Sequence, residues 1–419
     1  MIFNDVNKVF MSITEEQQGC AAVPMEAPAE TVTSRKRTSI GLPRSGSSAE
    51  KRFPLTPEAV GVLACAGFCV MIEAGAAADI HYTDAAYARV GARIVERCVA
   101  LQADIVIHLA PLGISDIRQL RRGALLLSLA NFSRARGAEV VRELVEHRIV
   151  NIAIDLVRDD HGNRPFGDIL SEIDGRGALT VASSMLADPV NGKGILLGGV
   201  AGVVPCEVTV IGSCLAACAA ARSAMGLGAV VRIFDDDVYQ LRSVLRQLGE
   251  GVIGSSAHPH VLENALRSAD VVIVTGSGAE LPINGDVNAV LKRRVLLFDL
   301  SENPGVTFPK ARIVDLGEIS GGSGVTGFAV ANNPTSLSER LCFVNPGSTV
   351  PRTAAMALSD TFVTLLRRIA GCEDSGAMLP MTPGLQEATL TFMGKVVNER
   401  VARLAGVRCT DIRLLLSLS

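Results

Sequence analysis

The amino-acid sequence predicts an α/β protein of two domains, and three observations carry that prediction. Short, continuous apolar runs alternate with segments of helical period, the pattern of parallel strands buried on both faces of a sheet. The alternation comes in two series, the second beginning after "DILSEIDGRGALTVASSML". A chain of 419 residues with 48% hydrophobic content is also long enough to build two cores, or three.

The elements follow in order. Residues 1–38 are polar and without sustained period, so a flexible arm is expected there, with Arg35, Lys36 and Arg37 solvated. "SIGLP" opens the first series as a strand. "TPEAVGVLACAG" reads as a helix that starts at Thr56-Pro57, where the fixed φ of proline suits the first turn, and stops at Gly67. Further strands are expected in "FCVMIE", "ADIVIHLA", "GALLLSLA" and "IVNIAIDLV", then in "EVTVIG", "AVVRIFD", "ADVVIVTG" and "RVLLFDLS". Beyond "LCFVNPG" the chain turns helical. Pro351 opens a helix along which Met356, Ala357, Phe362, Val363, Leu366 and Ile369 recur at helical spacing until Gly371. Having no strands of its own, this last segment is expected to fold back on the first domain.

Composition narrows the function. Forty basic against 43 acidic residues leave a net charge of −3, which gives no electrostatic case for nucleic acid or an anionic membrane. The absence of Trp and the presence of three Tyr also leave little for base stacking. No apolar stretch reaches the roughly 20 residues of a membrane span, and residues 1–20 lack the pattern of a secretory signal, so a cytoplasmic protein is expected. Of ten cysteines, the close pairs Cys65/Cys69 and Cys214/Cys218 have the wrong spacing for a zinc or redox CxxC; they are expected to be reduced and mostly buried. His258 and His260 have no third ligand nearby, so no metal site is expected. "SGGSGVTG" at 320–327 lacks the ending of a phosphate loop and reads as a mobile loop.

The motif that carries chemistry is "VIGSCLAACAA", 210–220. A dinucleotide loop needs a tight turn after a strand, close backbone approach to the pyrophosphate, and close helix-to-sheet packing. Gly212, Cys214 and Ala217 stand at those three positions, Gly212 serving the turn and Ala217 the packing. Cys214 is the departure: either a thiol acidified at a helix N-terminus or a tolerated side chain. Asp235 ends the next strand, roughly twenty residues beyond Gly212, where a carboxylate accepts the adenosine ribose hydroxyls and disfavours a 2′-phosphate. NAD is therefore preferred to NADP. The bland alternative is a βαβ unit whose aspartate caps a helix.

The stretch "KRFPLTPEAVGVLACAGFCVMIEAGAAADIHYTDAAYARVGARIV", with "GKGILLGGVAGVVPCEVTVIG", resembles the alanine dehydrogenase and transhydrogenase-α family over about residues 39–415. The resemblance implies a Rossmann-type dinucleotide-binding domain, 168–348, inserted in a discontinuous α/β substrate domain formed by 39–167 and 349–419. It also implies NAD-linked oxidative deamination of L-alanine, or of a related small amino or keto acid, in a cleft between domains of a homo-oligomer, usually a hexamer. Arg52 matches the arginine of the family's "ExRVAxTP" motif, which grips the substrate carboxylate, and Asn345 matches the asparagine of "CVxNxPxxVP", beside the nicotinamide.

At the catalytic positions the sequence departs from the family. The "LKVKEP"-like segment reads "IHLAPL": His108 replaces the first lysine, and Leu109 or Ala110 the second. The acid–base histidine corresponds to Asn131, and the aspartate of "DIAIDQGG" to Asn303. An amide can hydrogen-bond a substrate but cannot relay protons, which leaves His108 as the one group near the cleft that could titrate near neutrality, although a lone histidine in an apolar strand is more often structural. Three readings follow: an alanine dehydrogenase-like enzyme, a catalytically inactive nucleotide-binding paralogue with a structural or regulatory role, and a transhydrogenase α-like subunit.

Overall fold

The computed structural model describes residues 37–130, 138–283, 285–319, 340–370 and 383–417. The expected arm therefore lies outside the described residues except for Arg37 and Thr38, as do the 320–327 loop and Gly371.

The first series builds an eight-stranded sheet. Its strands are β1 (Ser39–Leu42), β2 (Cys69–Glu73), β3 (Arg93–Val95), β4 (Ile105–Ile107), β5 (Leu125–Ser128) and β6 (Val150–Ala153). The second series builds a seven-stranded sheet from β7 (Glu207–Ile211), β8 (Val230–Phe234), β9 (Val252–Ser255), β10 (Val271–Val274), β11 (Leu296–Asp299), β12 (Arg312–Asp315) and β13 (Leu341–Val344). The chain then returns to the first sheet with β14 (Thr389–Phe392) and β15 (Lys395–Val396). The first sheet runs β15-β14-β6-β5-β4-β1-β2-β3 and the second β12-β13-β11-β10-β7-β8-β9. All pairings are parallel except those of β14 with β6 and with β15. Central runs such as "LLLS" in β5 and "VVIV" in β10 are buried along their whole length, as strands covered on both faces must be.

Two corrections concern the last segment. It folds back on the first domain, but it does carry strands: Thr391 Oγ1 donates to the Ile149 carbonyl as β14 pairs antiparallel with β6. The β14–β15 turn is Met393-Gly394, both at positive φ (48° and 73°), the geometry of a two-residue hairpin turn without its usual Asn-Gly. In helix Pro351–Ala370 the buried face is Ala354, Ala355, Leu358, Phe362, Leu365, Leu366 and Ile369, whereas Met356 is 59% exposed and Ala357 faces solvent. The strands β3, β9 and β12 were not legible in the sequence; all three lie at sheet edges and none of their residues is buried.

Five helices matter below: α1 (Pro57–Cys65), α2 (Pro165–Ala187), α3 (Leu215–Gly226), α4 (Pro351–Ala370) and α5 (Glu399–Ala405). Helix α1 has Pro57 in its first turn and is followed by Gly67 at φ 95°, so start and stop are as expected. Helix α2 is shared between the two cores. Phe166 and Leu170 pack with the first sheet and Phe362 of α4, while Ala178, Leu179, Ala182, Met185 and Leu186 pack with the second. The Phe166 and Phe362 rings lie 4.8 Å apart; truncating either would cost about 3–5 kcal/mol. Gly175 lets α2 meet α3 closely, since a Cβ there would overlap the Ala216 carbonyl.

Among the described residues no helix is long and apolar enough to cross a membrane. All eight described cysteines are free, but only Cys206, Cys218 and Cys342 are buried, and Cys65 and Cys98 are exposed. The expectation that the cysteines are mostly buried is thus corrected: β2 and the helices carrying Cys65 and Cys98 lie near the sheet edge, where one face meets water.

Candidate functional site

The strand order reverses between β1 and β4 in the first sheet and between β7 and β10 in the second, whose edge also turns back where β13 lies between β11 and β12. Ligands of open parallel sheets bind at the carboxyl ends of the strands at such a reversal. That between β7 and β10 contains the glycine loop. Gly212 follows β7 at φ 98°, donates its N–H to the Phe234 carbonyl at 2.7 Å, and faces Thr275 at the end of β10. A Cβ at Gly212 would overlap Thr275 Oγ1, which itself donates to the Ile211 carbonyl at 3.1 Å, so both conformation and space demand glycine.

Cys214 is the N-cap of α3 in ordinary extended backbone (φ −79°, ψ −178°), so nothing in its conformation requires glycine. Its half-buried side chain packs against the core of the second domain, and it makes no side-chain cap. The first N–H groups of α3 therefore have no side-chain acceptor from Cys214, the arrangement that favours an anion at a helix N-terminus. Ala217 is fully buried on the small-residue face with Ala216, Ala220, Ala221 and Ala224. Asp235 closes the other side of the loop: Oδ2 accepts from Ser213 Oγ at 2.5 Å and Oδ1 from the Asp237 N–H at 2.8 Å.

Arg52 and Asn345 do come together. The segment after β1 is held against the second domain, with Ala49, Glu50, Arg52 and Phe53 all buried. Arg52 is 8% exposed and gives Nε and Nη2 to Glu50 at 2.8 and 2.7 Å, and Nη2 also to Asn345 Oδ1 at 3.2 Å; its Nη1 lies 3.8 Å from Asp174 of α2. Burial favours discharging the guanidinium, but Glu50, with Asp174 and Asp155 behind it, outweighs that and raises its pKa above the ordinary value. Burial raises the Asp174 pKa in turn, against the pull of Arg52 and the Gly347 N–H. Asn345, in the left-handed region at φ 57°, donates Nδ2 to the Ala49 carbonyl at 2.7 Å and to Asp315 Oδ1 at 3.2 Å. Glu50 lies within the sequence motif around Arg52; Asp174 and Asp315 come from distant elements, and no local pattern announced them.

The remaining positions are less open to substrate than expected. His108, after β4, is 3% exposed, with Nδ1 2.6 Å from the Ala110 carbonyl and Nε2 3.3 Å from that of Arg44. Burial lowers its pKa, against the two carbonyls, which favour the protonated ring; His108 is an enclosed histidine held by backbone, not a group open to substrate. Leu109 and Ala110, in place of the lysine, are buried too. Asn303, on the exposed loop after β11, donates Nδ2 to the Ser277 carbonyl at 2.7 Å and accepts from Arg400 Nη2 at 2.8 Å. Asn131 lies outside the described residues. The His258 and His260 rings are 6.1 Å apart, and among the described residues no group of three His, Cys, Asp or Glu could hold a metal.

Two family profiles match the chain: the alanine dehydrogenase/PNT N-terminal domain over residues 41–171 and the alanine dehydrogenase/PNT C-terminal domain over 178–399. The alanine dehydrogenase of Geobacillus stearothermophilus is 29% identical over 392 residues, spanning 90% of this chain and 99% of that protein. That of Mycobacterium tuberculosis (strain CDC 1551 / Oshkosh) is 29% identical over 383 residues, 89% and 98% of the two chains. Among solved structures, an L-alanine dehydrogenase has a TM-score of 0.74 at 24% identity, covering 88% of this chain and 99% of that one. The transhydrogenase from Sinorhizobium meliloti has a TM-score of 0.66 at 19% identity, covering 86% and 99%. At these identities the two structures speak to the fold.

Proposed function

Because the chain belongs to the alanine dehydrogenase/PNT family, we propose that it is an alanine dehydrogenase-like oxidoreductase that binds NAD and acts on a small amino or keto acid. The observation that carries this reading is the glycine loop at the β7–β10 strand-order reversal, where Gly212 fits under Thr275 and Asp235 faces Ser213. These residues suit a dinucleotide. Asp235 would exchange Ser213 for ribose hydroxyls, the N-terminal amides of α3 would face the diphosphate, and Ala217 keeps α3 close to the sheet. A bound nicotinamide would supply the hydride acceptor for oxidation at the substrate α-carbon.

On the substrate side, a carboxylate would have to take Arg52 Nη1, which lies 3.8 Å from Asp174, because Glu50 holds Nε and Nη2. Neither Asn303, engaged with Ser277 and Arg400, nor the enclosed His108, engaged with two carbonyls, is placed to move a proton for the substrate. A positioned acid–base group contributes typically about 10²–10⁴-fold, so turnover is expected to fall short of an enzyme with that group by such a factor. The occupied Arg52 also favours a second reading, an inactive nucleotide-binding paralogue with a structural or regulatory role. NADH production from L-alanine, glycine and L-serine, followed at 340 nm between pH 7 and 10 beside Arg52→Ala, separates the two. Slow turnover, abolished by Arg52→Ala while that variant still binds NAD, supports the enzyme; binding of NAD with no turnover in wild type supports the paralogue.

The domain limits 39–167, 168–348 and 349–419 belong to the same proposal, as does homo-oligomerisation. For the latter the support is an apolar segment left in solvent, with Val190, Leu196, Val200, Val203 and Val204 between 58% and 88% exposed.

A further inference from the structure

Arg400 reaches from one domain to the other. Its helix, α5, packs Ala402 and Ala405 against Val141 and Val396 on the flank of the first sheet, and Asn398 Oδ1 fixes its first turn by accepting from the Arg400 and Val401 amides at 3.0 and 3.2 Å. From this mount the guanidinium spans to the loop after β11. Nη1 meets Glu302 Oε2 at 3.1 Å, and Nη2 meets Asn303 Oδ1 at 2.8 Å and the Glu302 carbonyl at 3.4 Å.

That loop is stiff. Asp299, buried at its base, accepts from the Ser301 N–H and hydroxyl at 3.0 and 2.6 Å and from the Gly305 N–H at 2.8 Å. It is also joined to the loop after β10: Glu302 N–H donates to the Gly276 carbonyl at 2.9 Å and Asn303 Nδ2 to that of Ser277 at 2.7 Å. Thr275, which faces Gly212 across the strand-order reversal, begins this second loop. A continuous chain of contacts thus runs from α5 of the first domain to the rim of the glycine-loop crevice.

We infer that Arg400 is the latch between the two domains at that rim, and that Asn303 is its catch, a positioning residue in its own right. The amide at 303 donates to one carbonyl while accepting from a guanidinium. An aspartate could keep the guanidinium, but it has no N–H for Ser277. Asn303 thus has a role of its own beyond standing where the family has a catalytic carboxylate. The Arg400 and Glu302 side chains are 32% and 57% exposed, so the latch is weak, screened by salt and able to open on a domain-motion timescale.

Hydrogen exchange tests this without nucleotide or substrate, so its outcome is independent of the function proposed above. Amide exchange is compared over 276–280 and 300–305 in the full-length protein, Arg400→Ala, Arg400→Lys, Glu302→Gln and Asn303→Asp, at 0.05 and 0.5 M NaCl, with 208–211 of β7 as the core reference. The latch predicts that Arg400→Ala speeds exchange of both loops by about two- to fivefold at low salt. It also predicts that salt speeds exchange in wild type but not in Arg400→Ala, that Arg400→Lys is intermediate, and that Asn303→Asp loosens 276–280. If Arg400→Ala does not fold, Arg400→Lys and Glu302→Gln carry the same comparison. Wild-type rates in the loops of these variants, or an undiminished salt response without the Arg400–Glu302 pair, would overturn it.

Discussion

The β1–β4 and β7–β10 strand-order reversals of this molecule share a topology and differ in what fills them. At the reversal of the second sheet, between β7 and β10, glycine keeps the floor clear, α3 begins without a side-chain cap, and Asp235 rests on a single serine hydroxyl and one backbone amide. At that of the first sheet, between β1 and β4, the corresponding ground is occupied. His108 is wedged between two carbonyls, Leu109 and Ala110 are buried, and Arg52 is held by Glu50, Asn345 and Asp174. Exchangeable polar contacts mark a place for a ligand; satisfied, buried ones mark a joint. On this reading the second crevice is a binding site, and the Arg52 cluster is first of all the bracket that fastens the segment after β1 to the second domain.

The sharpest way to break this contrast is Glu50→Ala. Removing one partner of a buried pair leaves Arg52 poorly compensated, and a loss of about 3–5 kcal/mol is expected in urea unfolding, with NAD affinity of the folded fraction unchanged. A loss of affinity without loss of stability would instead make the cluster part of the binding site. Gly212→Ala comes next: positive φ and the overlap with Thr275 together should cost about 2–4 kcal/mol and weaken NAD with it. Asp235→Asn should leave stability within about 1 kcal/mol but weaken NAD by roughly tenfold, read by calorimetry, because a charge-assisted acceptor is lost.

The smallest effect belongs to His108. Its folded pKa lies below the unfolded one, so between those values the unfolded chain binds more protons, and stability is lost as pH falls below about 6.5. The urea midpoint should therefore fall more between pH 7 and pH 5 in wild type than in His108→Gln. Equal falls would mean that the ring is not held neutral.

How much of this was legible in the sequence depended on how local its causes were. The buried strands, the start of α1, the turn at Gly212 and the place of Asp235 follow from local pattern and were readable, whereas the close approach of Thr275 to Gly212 comes from β10 and was not. Short half-exposed edges such as β3, β9 and β12 carry too little apolar pattern, and the Met393-Gly394 turn hides the β14–β15 hairpin. At Arg52 the family motif pointed to a carboxylate ligand, while the carboxylates that hold it include Asp174, brought there by α2. Arg400 meets Glu302 and Asn303 from almost a hundred residues away, a contact that only the folded chain can announce.

Whether the glycine-loop crevice holds NAD despite Cys214 decides the proposed function. Isothermal titration of NAD into the wild-type protein, beside Cys214→Gly and Gly212→Val, tests it most directly. Because the Cys214 side chain packs toward the core from ordinary backbone, wild type and Cys214→Gly should bind with affinities within about threefold, and Gly212→Val should not bind. Saturable binding only after Cys214→Gly, or no binding in either, would contradict it.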